Sequence, residues 1–331
     1  MLRDKLTVGQ ALCHYLEDSL HLAETTRRKF RYEIGRWIRF CGDTPISDIT
    51  EESLRSFIVA CRGAGLREQT AAANVGTLLT LLRYAVRKGW LDRTPTFRVV
   101  RRASVRAAPG VPELGALYDA CRRTELKWPT FRWVSTSDFW RAWIAVSVLT
   151  GARLGDLMYR LRWSQVSDSE LWWSAGKTGK AHRIPMHPVL KSHLELVRRP
   201  LSNCDDRIFP ISKSPHLVRR ELYRLCDVAG VRRYGAQAFR RAAVQLYEQA
   251  HPGAGAILQG SGLRGSLGYY VDPITILHAA QRKLELPESF YPPDERATRR
   301  HVRTRLLKLV ARLRHDQQEA LVRVCESMQN A

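Results

Sequence analysis

Two arginines, an aspartate, a lysine and a tyrosine have the chemistry to hold and attack a phosphate. Arg153 stands in TGARLGDL with Asp156 three residues on, a spacing that on a helix puts the carboxylate on the same face, where it can orient the guanidinium. Lys177 occupies the tip of GKTGK, in competition with Lys180 of the same segment. Arg240 lies in QAFRRAAVQLYEQ beside Arg241. In SLGYYVDP, Tyr269 and Tyr270 follow a glycine-rich run and precede a proline, and each is either a reactive phenol or an ordinary core aromatic. Planar guanidinium forks match the non-bridging oxygens of a phosphodiester, and a tyrosine hydroxyl can attack phosphorus to form a covalent link. The glycines around residue 260 precede no GK[ST], so they read as turns rather than a phosphate loop.

The composition points to an anionic partner. Lys and Arg number 54 against 32 Asp and Glu, a formal net charge of +22, with a pI near 10.3. Such an excess favours nucleic acid. No apolar run approaches the ~20 residues that span a bilayer, and MLRDKLTVGQ lacks the apolar stretch of a secretory signal, so a cytoplasmic, nucleoid-associated protein is expected. The seven cysteines, Cys13, Cys41, Cys61, Cys121, Cys204, Cys226 and Cys325, are scattered without a CxxC pair. They are expected to be buried thiols, and neither a metal nor a cofactor is expected.

The elements that must position these side chains are mostly helical. Residues 1–91 are predicted to form four helices: Thr7 and Gln10 make a capping box ahead of Val8, Ala11, Leu12 and Tyr15. Phe30, Ile34, Trp37 and Ile38 then form an apolar stripe flanked by Arg27, Arg28, Arg31 and Arg39. Thr50 caps a third helix with Ile49 and Leu54 as a hydrophobic staple, and a fourth runs through Val75, Leu78, Leu79 and Leu82 to Gly89. Residues 92–112 carry prolines, Arg98, Arg101, Arg102 and Arg106 without hydrophobic periodicity, a linker expected to lie along phosphates. Beyond it, helices are predicted from Pro112, through FWRAWIAVSVLT, and over 187–199, 215–228 and 236–250, with LWWSA and AHRIPM pairing across GKTGK as a hairpin. The fold class is thus mainly α with one small antiparallel sheet.

Taken together, residues 5–280 resemble the tyrosine recombinases, or phage integrases. TGARLGD is similar to the family's TGxRxxE, Lys177 falls 24 residues beyond Arg153 where the family has its hairpin lysine, and QAFR aligns Arg240 with the second arginine of HxxR. LQGS, ending at Ser261, stands nine residues before Tyr270, the family's distance from a His or Trp to the nucleophile. The resemblance implies an N-terminal helical core-binding (SAM-like) domain over 1–91, a catalytic domain over 113–290 and a helical tail over 291–331, closing as a C-shaped clamp on duplex DNA. It implies Tyr270 as nucleophile of a 3'-phosphotyrosyl intermediate with Tyr269 as packing, Arg153 and Arg240 on the phosphate, and Lys177 as the acid for the leaving oxygen. Arg27, Arg28, Arg31, Arg98, Arg101, Arg102, Arg106, Lys180 and Arg241 are the expected DNA contacts.

Two positions depart from the family: Gln237 replaces the His of HxxR and Ser261 replaces the later His or Trp. Gln237 cannot accept a proton at neutral pH, and losing a general base lowers a rate by roughly 10² to 10⁴ if nothing replaces it. An alternative is therefore a catalytically degenerate, architectural DNA-binding protein. The resemblance further implies a homo-oligomer, a tetramer on synapsed sites, with an accessory DNA-bending factor as a further partner. In the tail, Val302, Leu306, Leu309, Leu313 and Ala320 make an apolar seam that either folds back or docks on a neighbouring protomer.

Overall fold

The computed structural model describes residues 6–98, 107–123, 128–199, 206–211, 215–261 and 272–293, together with Val310, 317–320 and 322–323. The chain divides into two compact units, Met1–Val105 and Arg106–Ala331, each with its own hydrophobic core.

Unit 1 holds four helices, α1 (Val8–Asp18), α2 (Glu24–Cys41), α3 (Glu51–Gly63) and α4 (Glu68–Arg87). The starts of α1 and α3 follow from capping chemistry. Thr7 Oγ1 accepts the Gln10 N–H and the Gln10 side chain accepts the Thr7 N–H, while both oxygens of Asp43 accept from Thr7 and Gly9 at the same helix end. Thr50 and Ser53 make the equivalent box on α3, with Ile49 and Leu54 both in the core. Starting at Glu68, α4 is longer than its apolar repeat suggests, and it is the central helix: Ala71, Val75, Leu78, Leu82 and Ala85 are buried and α1, α2 and α3 all pack on it. Trp90, Leu91 and Phe97 also pack on this core, so the first residues of the predicted linker stay with unit 1.

Unit 2 is built around α6 (Thr136–Thr150). From Phe139 to Thr150 every residue of α6 is buried, the pattern of a helix enclosed on all sides. Around it stand α5 (Val111–Arg123), α7 (Leu154–Tyr159), α8 (Pro188–Val197), α9 (Pro215–Ala229), α10 (Ala236–Ala250), α11 (Ala254–Gln259) and α12 (Pro273–Arg282). β1 (Glu170–Ser174) and β2 (Ala181–Pro185) form the predicted hairpin, antiparallel, with Leu171 opposite Ile184 and Trp173 opposite His182. α8 starts one residue later than predicted because His187 is its cap, accepting the Val189 N–H, and Pro188 takes the first helical position, where no N–H is needed. A buried hydrogen-bond chain ties the far ends together: Tyr247 Oη donates to Leu149 O at 2.7 Å, and Gln281 Nε2 donates to Tyr247 Oη and to Pro185 O at 3.0 and 2.9 Å. No helix among the described residues is long and apolar enough to cross a membrane.

Separate cores predict separate responses to core truncation. Trp37→Ala and Trp143→Ala each remove a fully buried indole and should cost about 3–5 kcal/mol. In calorimetry each should lower a different transition; a common shift of one transition in both variants would contradict two independent cores.

Candidate active site

The site forms where α6 ends. Gly151 closes that helix in the left-handed region at φ +59°, which glycine adopts without a Cβ penalty, and a Cβ there would lie 2.8 Å from Leu258 Cδ2. Its carbonyl accepts from Nη1 of Arg240 on α10. Nη2 of the same guanidinium donates to Gln259 O at 3.0 Å and, more weakly, to Leu258 O at 3.5 Å. One side chain thus joins the C-terminal ends of α6 and α11. Arg240 is only 5% exposed. Burial and then the charge of Arg153 push its pKa down to about 10, against an upward pull from Asp156, so it remains cationic at neutral pH. These carbonyls engage at most three of the five guanidinium N–H donors, leaving the others for an anion.

Arg153 caps α7. Its Nη1 lies 4.0 Å from Asp156 Oδ2, too far for a hydrogen bond, so Asp156 attracts this arginine without gripping it. The stronger bond of the buried Asp156 runs elsewhere: Oδ1 accepts the Gly176 N–H at 2.9 Å and fastens the hairpin turn to α7. Arg153 Nη1 and Asp156 Oδ2 are buried with no hydrogen-bond partner among the described residues, a donor and an acceptor available to a ligand.

Period-2 alternation turns Trp173 and His182 of the hairpin inward. Their rings stack at 4.9 Å with planes 8° apart. His182 is 5% exposed, and its ring edge lies so close to Gly260 that a Cβ on that residue would come 3.0 Å from Cε1 and 3.2 Å from Nε2. Gly260 ends α11 at φ +75°, so conformation and space both require glycine there. Burial first, then Arg240, Arg153 and Lys180, lower the His182 pKa, with Asp156 opposing; the imidazole is neutral at pH 7. Sequence reasoning missed this residue, although the alternation of AHRIPM puts His182 on the same inward face as Ile184. Lys180 Nζ donates to Gly260 O at 2.9 Å, whereas Lys177 is exposed in the turn. A cavity of about 490 Å³ opens here, lined by Lys180, His182, Ser261, Asp272 and Pro273 among others.

The other predicted residues fall into four groups. Gln237, exposed in the first turn of α10, lines a second cavity of about 480 Å³ with His216, Arg219 and Arg241, while Arg241 Nη2 also donates to Ala107 O at 2.9 Å. Ser261 turns its chemistry inward, its Oγ and N–H both donating to Ala256 O at 2.8 and 3.1 Å, which closes α11. In unit 1, Arg27 and Arg31 lie 3.7 and 3.0 Å from Glu24, whereas Arg28 and Arg98 are exposed. Tyr269, Tyr270, Arg101, Arg102, Arg106 and most of the tail seam lie outside the described residues.

Asp156→Ala should release the Gly176 N–H from a buried acceptor, a loss of about 1–3 kcal/mol. Amide exchange over residues 175–180 should accelerate at least tenfold while α4 of unit 1 is unchanged. Unaltered exchange at Gly176 would show that Asp156 does not hold the hairpin.

Residues 10–89 match the family described as the phage integrase, N-terminal SAM-like domain. Comparison with curated protein sequences gives no match. Among solved structures, a lambda integrase dimer bound to a COC' core site is similar with a TM-score of 0.63 at 21% identity, over 82% of this chain and 79% of that one. A lambda integrase tetramer bound to a Holliday junction has a TM-score of 0.58 at 22% identity, over 73% of each chain. The Tn1549 transposon integrase (aa 82–397) in complex with circular intermediate DNA has a TM-score of 0.60 at 13% identity, over 84% of this chain and 99% of that one. Residues 10–89 thus carry a phage-integrase SAM-like domain, and the chain shares the fold of these integrases over most of its length.

Proposed function

We propose that this protein is a DNA recombinase of the tyrosine type, cutting and rejoining strands through a 3'-phosphotyrosyl link to Tyr270. The observation that carries the proposal is the pairing of Arg153 and Arg240 at the end of α6, two guanidiniums whose mutual repulsion calls for an anion between them. A phosphodiester meets that need, and its charge grows as the five-coordinate phosphorane forms, so donors held in place stabilise the transition state more than the ground state. The Tyr270 oxygen bonds to phosphorus, the bond from phosphorus to the 5'-oxygen breaks, and a hairpin lysine, Lys177 or Lys180, protonates the departing oxygen. Religation reverses these steps without an external energy source.

Further support comes from charge and position. The net charge of +22 and the basic cavity of His216, Arg219 and Arg241 beside the first turn of α10 suit a DNA backbone, and helix N-termini favour phosphate. Asp272, two residues after Tyr270 in the sequence, lines the same cavity as His182 and Lys180. Synapsis of four protomers on paired sites is the assembly we propose. A second reading, DNA binding without catalysis, is favoured by the exposure of Gln237 and the inward commitment of the Ser261 hydroxyl.

Nicked suicide duplexes drawn from DNA flanking the gene decide between them. An SDS-resistant protein–DNA adduct is expected with the wild type and with Tyr269→Phe, none with Tyr270→Phe, and a rate lowered about 10² to 10³-fold with Arg153→Ala. DNA binding without adduct on any substrate would leave the binding-protein reading, and relaxation of supercoils by a monomer without a specific site would indicate a topoisomerase instead.

Affinity should also depend on salt. Contacts to six or more phosphates predict a loss of about 10³-fold or more in DNA affinity between 50 and 200 mM salt, read by fluorescence anisotropy; a flat response would argue against phosphate-dominated binding.

A further inference from the structure

A glycine inside a helix weakens it relative to alanine, so its presence there calls for a cause. Gly35 lies in the interior of α2, and a Cβ built on it would meet no atom of the chain within 4 Å. No neighbour within the described residues therefore requires the missing side chain, whereas the close approach of a partner does. We infer that the face of α2 centred on Gly35 enters the major groove of duplex DNA, and that Arg36 on that face reads a guanine there. The inference rests on the DNA-binding part of the preceding reading and is independent of the chemistry at Tyr270.

Four features of the structure carry it. First, helical periodicity gathers Arg28, Tyr32, Gly35, Arg36 and Arg39 into one stripe, opposite the buried stripe of Phe30, Ile34 and Trp37. Second, Arg28, Tyr32 and Arg39 are exposed, the Tyr32 ring to 65%. Third, Arg36 is held in one direction: its guanidinium lies over the Tyr32 ring at 4.7 Å, and its Nη2 donates to Tyr32 Oη at 2.6 Å. Further N–H donors of the planar fork remain for a ligand. Fourth, the charge of α2 is one-sided, with Arg27, Arg28, Lys29, Arg31, Arg36 and Arg39 against Glu24 and Glu33. Both carboxylates are engaged off the stripe, Glu24 with Arg27 and Arg31 and Glu33 with Lys29 and Thr77. A second copy of this face would meet like charge, whereas a polyanion meets complementary charge.

The dimensions suit a groove. Arg28 and Arg39 stand about 16 Å apart along the helix axis, enough to put their guanidiniums on the phosphates that flank a major groove about 12 Å wide. Between them, Gly35 lacks the side chain that would hold the helix away from the base edges. Arg36 then presents two N–H donors in the plane that matches O6 and N7 of guanine. Tyr32 fixes the fork before DNA arrives, so less side-chain freedom is lost on binding. Arg27 and Arg31, expected from the sequence to touch DNA, lie off this stripe and are paired with Glu24.

The test uses the full-length protein and random-sequence duplexes, from which bound molecules are recovered and sequenced, with affinities then measured by fluorescence anisotropy. The wild type should select a guanine at one position that Arg36→Ala no longer selects, and Arg36→Ala should lose about 5- to 150-fold in affinity on the preferred duplex but not on one lacking that guanine. Tyr32→Phe should lose part of the same preference. Arg28→Ala and Arg39→Ala should weaken all duplexes alike and lower the salt slope by about one each. Gly35→Gln gives a readout that a merely structural role would not move: the melting transition of unit 1 should rise, because a helix-forming side chain enters open space, while DNA affinity falls. Wild-type affinity in Gly35→Gln, an unchanged base preference in Arg36→Ala, or a wild type with no base preference would overturn this inference and leave the recombinase reading standing. A wild type that binds no duplex overturns both.

Discussion

A buried guanidinium with a second one beside it is the constraint around which unit 2 is organised. An arginine enclosed to the extent of Arg240 is unfavourable unless its donors are satisfied and its charge is compensated. The chain meets the first demand with carbonyls from the last turns of α6 and α11, where the helix dipole leaves partial negative charge. The second demand is only partly met, because Asp156 sits loosely against Arg153 and commits its better bond to the hairpin. What remains is a positive site with directed donors, whose electrostatics suit an anion.

The same constraint explains why small residues stand where they do. Gly151 must turn the chain so that its carbonyl meets Arg240, and Gly260 must let the hairpin close against α11. Lys180 and His182 reach α11 from one strand end, and Asp156 anchors the opposite side of the turn. Three separate stretches of sequence are thereby set around one point by contacts that involve backbone as much as side chains. Unit 1 uses other means: exposed helix caps and the Asp43 bridge to the start of α1, with Thr77 donating to Glu33 and Tyr84 to Asp18 as part-buried ties between helices.

The elements were legible in the sequence because capping boxes, apolar stripes and the strand–turn–strand pattern are local signals. The capping box of Thr7 and Gln10, the staple of Ile49 and Leu54 and the hairpin around GKTGK depend on residues a few positions apart. What escaped was set by packing across long separations. The choice of Gly176 as the partner of Asp156, the reach of Lys180 to Gly260 and the enclosure of His182 each join segments tens of residues apart. Residue type alone gives no hint that Ser261 caps its own helix. The burial of His182 was partly available, since Ile184 fixes which face of β2 turns inward, but its proximity to Arg240 was not.

The hydrogen-bond chain from Leu149 through Tyr247 to Gln281 and Pro185 links α6, α10, α12 and β2. α11 is fastened to the core through Arg240, and α12 is fastened through Gln281. The ties to Leu149 and Pro185 each join a side chain of one element to the backbone of another, so separating these elements from their neighbours would strand a buried carbonyl as well as a side chain.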